Sequence, residues 1–124
     1  MNFPRVAAGT VLALRIAYGV ALIAAPTRLA LRWLGPDADR ASVKVALRGL
    51  GAREVVLHAG ALLSLSRGAS VRPWLAASVA GDLTDVAATA AARHQLPPGS
   101  APATLAVGGG SALVSLAVAV AVDS

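Results

Sequence analysis

Four long apolar stretches alternate with short polar segments along this chain, over about residues 6–25, 43–66, 74–92 and 103–122. An α-helix needs about 20 apolar residues to cross the hydrocarbon core of a bilayer, whereas a membrane strand needs about half that length. None of the stretches shows the period-two alternation of a half-buried strand. The pattern therefore predicts an all-α integral membrane protein, with residues 1–124 forming a single transmembrane domain. Because the connections are short, we expect an up-down-up-down four-helix bundle.

The connections carry the residues that end helices and anchor them at a membrane surface. Pro26 is expected to end the first span, since the residue before a proline avoids the helical conformation. The segment 27–34 is short, basic and apolar, and its Trp33 is typical of a residue at the membrane interface. A basic turn at 68–72 and a Pro/Gly/Ser loop at 95–102 separate the remaining spans.

The composition supports a membrane location. Hydrophobic residues make up 56% of the chain and charged residues only 14%, against about 25% charged in a typical soluble domain. The net charge is +5, and most of the arginines lie near the ends of the apolar stretches, where they can meet lipid headgroups. Aromatic residues are too few for stacking on bases, so we expect no nucleic-acid partner. The predicted location is a bacterial cell membrane, multi-pass, with the bilayer as the main partner and a homodimer as a possible assembly.

Polar residues on the third span follow helical spacing. They occupy positions i, i+4, i+7, i+11 and i+15, which places them on one face of the helix: Ser78, Asp82, Asp85, Thr89 and Arg93. A continuous polar stripe cannot face lipid, so it is expected to face the interior of the bundle.

The second span is polar on two sides. One face carries Lys44, Arg48, Gly51, Glu54 and His58, and Arg53 lies nearly opposite. Each charge at the centre of a lone membrane helix costs about 2.5–3.5 kcal/mol, so neighbouring helices must shield this one. We therefore expect it at the centre of the bundle, with Arg53 and Glu54 reaching different neighbours.

The deep charges balance in the sequence, because three arginines face three carboxylates. The arginines are Arg15, Arg48 and Arg53, and the carboxylates are Glu54, Asp82 and Asp85. Buried charge requires pairing, and a guanidinium can hold a carboxylate through two hydrogen bonds. The pairs can serve only to hold the helices in register, or they can line a functional pocket. Ionisable residues inside a membrane favour the second interpretation.

The functional interpretation assigns roles to these residues. Asp82, Asp85, Glu54 and His58 are the candidate catalytic acids and bases, since one of two neighbouring carboxyl groups can hold a proton while the other accepts one. Arg15, Tyr18, Arg48 and Arg53 are the candidates for binding substrate or tuning those groups. We expect no metal and no cofactor, because a single interior histidine beside competing arginines is a poor ligand set.

The fourth span carries no charge before its end. Small residues share one face at Thr104, Gly108, Ser111 and Ser115, which is typical of close helix packing.

The segment Arg48-Gly-Leu-Gly-Ala-Arg-Glu54, followed by Gly81-Asp-Leu-Thr-Asp85, resembles a known arrangement. Uncharacterised families of short four-span membrane proteins from high-GC bacteria pair an Arg-x-x-Gly-x-Arg-(Asp/Glu) segment with a later Asp-x-x-Asp segment. The chain is more loosely similar to small membrane-embedded cyclases of terpenoid and polyether pathways, which protonate an epoxide or alkene with buried carboxylic acids. The Pro-x-Glu-Glu type of motif of carotenoid cyclases is absent. The resemblance implies such a role for Glu54, Asp82 or Asp85.

Two hypotheses follow for the function. The first is an intramembrane acid–base enzyme that cyclises, isomerises or opens an epoxide in a lipophilic small-molecule substrate such as an isoprenoid, epoxide or polyketide. The second is a non-enzymatic membrane module, either a small proton-coupled carrier or an accessory subunit of a larger membrane complex.

Overall fold

The computed structural model describes residues 3–123, and for Asp123 it describes the backbone alone. The all-α prediction is confirmed, since these residues form helices and no strand. The helices are α1 (Phe3–Ala24), α2 (Pro26–Leu34), α3 (Ala41–Ser66), α4 (Arg72–Ala91), α5 (Ser100–Thr104) and α6 (Gly110–Asp123). A π-helical turn at Leu105–Gly109 joins α5 to α6, and short 3₁₀ turns cover Gly35–Asp39 and Arg93–Gln95.

Proline and glycine set the helix boundaries. Pro26 is the first residue of α2, where its missing N–H costs nothing, and Ala25 before it leaves the helical conformation. Gly35 ends α2 with a φ of +71°, a conformation that glycine adopts without strain, and its N–H bonds to the carbonyl oxygen of Leu31. The segment before the second predicted span thus contains a separate short helix.

Two glycines bring α1 and α3 into close contact. A Cβ atom built on Gly19 would lie 2.7 Å from the carbonyl oxygen of Gly51, and one built on Gly51 would lie 2.6 Å from that of Gly19. These helices are antiparallel, because Arg5 near the start of α1 donates to the carbonyl oxygen of Leu65 near the end of α3. Small residues at this crossing let two backbones approach as closely as membrane helices do.

The remaining long helices also pack through glycines. The ring of Trp74 on α4 lies where a Cβ of Gly60 on α3 would be, and its Nε1 donates to Ser64 at 3.0 Å. Gly108, in the π-helical turn, lies against Val86 and the carbonyl oxygen of Asp82 on α4. Gly108, one of the small residues of the fourth stretch, therefore allows close packing on α4.

The structure exposes large aliphatic side chains and buries charged ones. Leu14, Val45, Val56, Leu83 and Leu113 are each more than half exposed. By contrast, Glu54 and Asp82 are 3% and 4% exposed, and His58 is fully buried. Leucines such as Leu12, Leu22 and Leu75 are buried as well, but paired charges in the interior and so many exposed aliphatic side chains are uncommon in a soluble domain.

Two helical segments are long and apolar enough to cross a membrane, Phe3–Ala24 and Ser100–Val122. Among the described helices α3 and α4 are also long enough, but they carry the charged residues of the interior. The four-span arrangement therefore stays a prediction.

Candidate functional site

Arg15 holds two carboxylates from two other helices. Its Nε and Nη2 donate to the carboxylate of Glu54 on α3 at 3.0–3.1 Å. Its Nη2 and Nη1 donate to the two oxygens of Asp82 on α4 at 2.7 and 2.9 Å. The side chains of Glu54 and Asp82 are nearly inaccessible, and that of Arg15 is 14% exposed. This guanidinium therefore joins α1, α3 and α4 at one buried point; we call these three residues the Arg15 cluster.

The fourth long segment reaches the same point only weakly. Ser115 on α6 is buried, and its Oγ lies 3.5 Å from Nη1 of Arg15, a long hydrogen bond. Both carboxylate oxygens of Glu54 and both of Asp82 accept hydrogen bonds from Arg15, so neither carboxylate faces an open space.

His58 lies one helical turn beyond Glu54. Its Nδ1 is 2.6 Å from the carbonyl oxygen of Glu54, and its Nε2 is 2.8 Å from the Oγ of Ser78. A carbonyl oxygen can only accept, so Nδ1 carries the proton, and in a neutral imidazole Nε2 accepts from the serine hydroxyl. Both ring nitrogens of this fully buried residue therefore have partners.

Arg53 and Asp85 form a second, looser pair. The Nη2 of Arg53 on α3 lies 3.4 Å from Oδ2 of Asp85 on α4, and 3.8 Å from Oε1 of Glu54. About a third of each side chain is exposed, 36% for Arg53 and 30% for Asp85. The guanidinium lies over Gly81, where a Cβ would be 3.0 Å from its central carbon. Arg53 and Glu54 thus turn to different helices, as expected from the sequence.

This second pair opens onto a groove of about 390 Å³ between α2, α3 and α4. Its wall is otherwise apolar, consisting of Trp33, Leu34, Val43, Ala46, Leu47, Gly49 and Leu50. A Cβ built on Gly49 would meet nothing within 4 Å, so this glycine leaves room in the wall. Apolar lining with a few polar groups is typical of a small-molecule site. We call this feature the Asp85 groove.

Side-chain hydrogen bonds hold the α2 wall of the groove in place. The Nε1 of Trp33 donates to Oγ1 of Thr89 on α4 at 2.8 Å, and the hydroxyl of Ser100 donates to the carbonyl oxygen of Trp33 at 2.6 Å. Four residues of the polar stripe of α4 therefore contact four different partners. They are Ser78, Asp82, Asp85 and Thr89.

The balance of three deep arginines against three carboxylates is wrong. Arg48 is exposed, and its Nε donates to the carbonyl oxygen of Ile23 in the last turn of α1 at 3.1 Å. That carbonyl lies at a helix end, where no later N–H of the helix satisfies it, so a cation is favoured there. The interior thus contains two guanidinium groups, of Arg15 and Arg53, against three carboxylates.

Tyr18, a candidate from the sequence, and Arg93, a member of the polar stripe, lie apart from the groove lining. Tyr18 is 44% exposed, and its hydroxyl makes no hydrogen bond among the described residues. Arg93, the last member of the polar stripe, is exposed and donates to the carbonyl oxygen of Ala90 in its own helix. Within residues 3–123 no three of the histidines and carboxylates are grouped so that they can hold a metal ion.

Sequence reasoning missed the groove, although it singled out both of its charged residues. Trp33 was interpreted as an interface anchor, and its indole N–H in fact reaches Thr89. The only sequence signal was that Thr89 continues the polar stripe beyond the two aspartates. No spacing rule connects α2 with that stripe.

Comparison with known proteins gives no match to a family model, to a curated protein or to a solved structure. The resemblance to short four-span membrane proteins and to membrane-embedded cyclases therefore stays a prediction.

Proposed function

We propose that this chain is a multi-pass integral membrane protein, a four-helix up-down-up-down bundle that acts on a lipophilic small molecule by acid–base chemistry in the Asp85 groove. The observation that carries the proposal is the composition of that groove: one carboxylate and one guanidinium, each about one-third exposed, in an otherwise apolar wall.

The distribution of side chains supports four spans. Large aliphatic residues are exposed on α3 and α4 as well as on the two most apolar segments, for example Val56 and Leu83. Glu54 of α3 and Asp82 of α4 point inward, where Arg15 compensates their charges in part. Helices of this kind insert together with their neighbours, although each is too polar to insert alone.

Asp85 is the best-placed acid–base group. Asp82 and Glu54 are fully engaged by Arg15 in the closed interior, so the proposal narrows the sequence candidates to one carboxyl group that faces an open groove. The Asp85 carboxylate takes a proton from the substrate. The resulting carboxylic acid then returns a proton to an oxygen or a double bond of the substrate, which regenerates the carboxylate without a cofactor.

Arg53 and the Arg15 cluster have positioning roles in this proposal. Arg53 lies 3.4 Å from Asp85 and stabilises its carboxylate form after proton transfer. The Arg15 cluster and His58 fix the relative positions of α1, α3 and α4, and thereby the width of the groove.

The test compares lipid extracts of cells that produce the wild-type chain or an Asp85→Asn variant. Untargeted mass spectrometry is expected to find a lipophilic product that is present with the wild type and absent with the variant. Asp85→Glu restores part of it, since the carboxyl group is retained. Asp39→Asn, at an exposed aspartate in the turn after α2, is the matched control and keeps the product.

A product that persists at wild-type level in a folded Asp85→Asn variant excludes Asp85 as the acid–base group. The second candidate function, an accessory membrane module, is favoured by the fully paired and closed Arg15 cluster, which needs no ligand to explain it. Extracts that do not differ between cells with and without the chain, together with stoichiometric co-purification of a membrane partner, support that module instead.

A further inference from the structure

Arg53 has unused hydrogen-bond donors beside the groove. A guanidinium carries five N–H donors. Among the described residues, Arg53 makes one side-chain hydrogen bond, from Nη2 to Asp85 at 3.4 Å. Its Nε has no partner but is buried, whereas Nη1 makes no hydrogen bond and belongs to a side chain that is 36% exposed beside the groove. The donor set therefore favours a ligand that brings an oxygen acceptor to Arg53.

The charges around Arg53 determine which acceptor fits. Arg15 and Arg53 supply two positive charges, while Glu54, Asp82 and Asp85 supply three carboxylates. An anionic head group would bring a further negative charge close to Asp85 in surroundings of low dielectric constant. Repulsion between like charges is strongest there. An uncharged oxygen accepts the same hydrogen bond without that repulsion.

We propose that the Asp85 groove binds an uncharged lipid whose polar end is an oxygen acceptor, such as an ester, ketone or ether, and discriminates against the corresponding carboxylate. The apolar lining residues of α3, such as Val43, Leu47 and Leu50, contact the hydrocarbon part, and Arg53 donates to the oxygen. This inference takes the position of the site from the proposed function and adds the chemistry of its ligand.

Tryptophan fluorescence measures this binding directly. The chain has two tryptophans, and only Trp33 lines the groove, so a Trp74→Phe background leaves a single reporter there. Bromine quenches tryptophan on contact. The probes are dibrominated stearic acid and its methyl ester, which share one hydrocarbon chain, added to nanodiscs of unbrominated phosphatidylcholine at alkaline pH. The ester is expected to quench saturably at a concentration about tenfold lower than the ionised acid, a difference of about 1.4 kcal/mol.

Two glycine variants distinguish binding of the probe in the groove from its adsorption at the membrane surface. Gly49→Leu fills the groove, while Gly9→Leu places the same side chain in open space on α1. Saturable quenching is expected to vanish in Gly49→Leu and to persist in Gly9→Leu. Quenching of wild-type strength in Gly49→Leu shows that the groove is not a binding site, and the proposed function fails with it. Equal or tighter binding of the acid overturns the charge argument alone.

Asp85→Asn tests the cause of the discrimination. It removes one carboxylate and leaves two guanidinium groups against two carboxylates. The acid is then expected to bind at least as tightly as the ester, because it replaces Asp85 as the partner of Arg53. If the preference for the ester is unchanged in this variant, the excess negative charge is not its cause and the inference is wrong.

Discussion

Arg15 and Glu54 form a bidentate ion pair between α1 and α3, with nitrogen–oxygen distances of 3.0–3.1 Å. The same guanidinium holds Asp82 of α4 at 2.7 Å. One cation therefore compensates two carboxylates that are almost inaccessible. A buried arrangement of this kind has a large cost when one member is removed, because the remaining charges are left without a partner.

Arg15→Met is expected to destabilise the protein by about 3–5 kcal/mol, since Glu54 and Asp82 then lose their shared cation. The measurement is unfolding in mixed micelles at increasing sodium dodecyl sulfate, followed by circular dichroism. Arg48→Met is the control, because Arg48 is exposed and bonds to a single carbonyl oxygen. We expect it to change the stability by less than about 1 kcal/mol.

A triple variant distinguishes the loss of the ion pairs of Arg15 from the loss of the packing of its side chain. Replacing the whole Arg15 cluster with Arg15→Met, Glu54→Gln and Asp82→Asn removes the buried charges together. Neutral replacement of a complete buried ion pair is often tolerated, so most of the lost stability is expected to return. A triple variant as unstable as Arg15→Met alone contradicts the electrostatic explanation.

Gly51→Ala is expected to lower stability by about 1–3 kcal/mol, since the added methyl group would lie 2.6 Å from a backbone oxygen of Gly19 and must push α1 away. Gly9→Ala is the matched control on α1, because its Cβ meets nothing within 4 Å. It is expected to stabilise the helix by about 0.5–1 kcal/mol. The same unfolding assay measures both, and equal effects would show that the close crossing does not exist.

Thr89→Val removes the acceptor for the indole N–H of Trp33 with little change of shape. The α2 wall of the groove is expected to loosen, at a cost of about 1 kcal/mol, and the Trp33 emission in a Trp74→Phe background is expected to shift. Thr84→Val is the control, because Thr84 is exposed and donates only to the Ala80 carbonyl of its own helix. An unchanged emission spectrum in Thr89→Val argues against the indole–hydroxyl contact.

The sequence predicted the helices better than their contacts. The second stretch was expected at 43–66 and forms Ala41–Ser66, and the third was expected at 74–92 and forms Arg72–Ala91. Hydrophobic length and proline position determine these elements locally. The π-helical turn at Leu105–Gly109 was not predicted, because nothing local in a glycine-rich apolar stretch distinguishes it from an α-helix.

Helical spacing predicted which residues share a face, but not which partner each residue reaches. It placed Asp82 and Asp85 on one stripe. In the structure, however, Asp82 pairs with Arg15 and Asp85 pairs with Arg53. Arg48 shares a face with Glu54 in projection. Arg48 lies nearly two turns closer to the start of α3, where the antiparallel α1 ends and offers a free carbonyl oxygen. The angle of a residue around the helix axis does not tell how far along the helix, and therefore how deep in the bundle, that residue lies.

The central claim is that α3 crosses the membrane with its buried residues Glu54 and His58 facing the interior. Because the chain has no cysteine, a spin label can be placed at Val56→Cys, an exposed position of α3, and at Ala69→Cys in the turn after it. Accessibility to oxygen and to a water-soluble nickel complex is then measured by electron paramagnetic resonance in liposomes. We predict high oxygen and low nickel accessibility at Val56→Cys, and the reverse at Ala69→Cys. Nickel accessibility at Val56→Cys equal to that at Ala69→Cys would place α3 in water and contradict the four-span account.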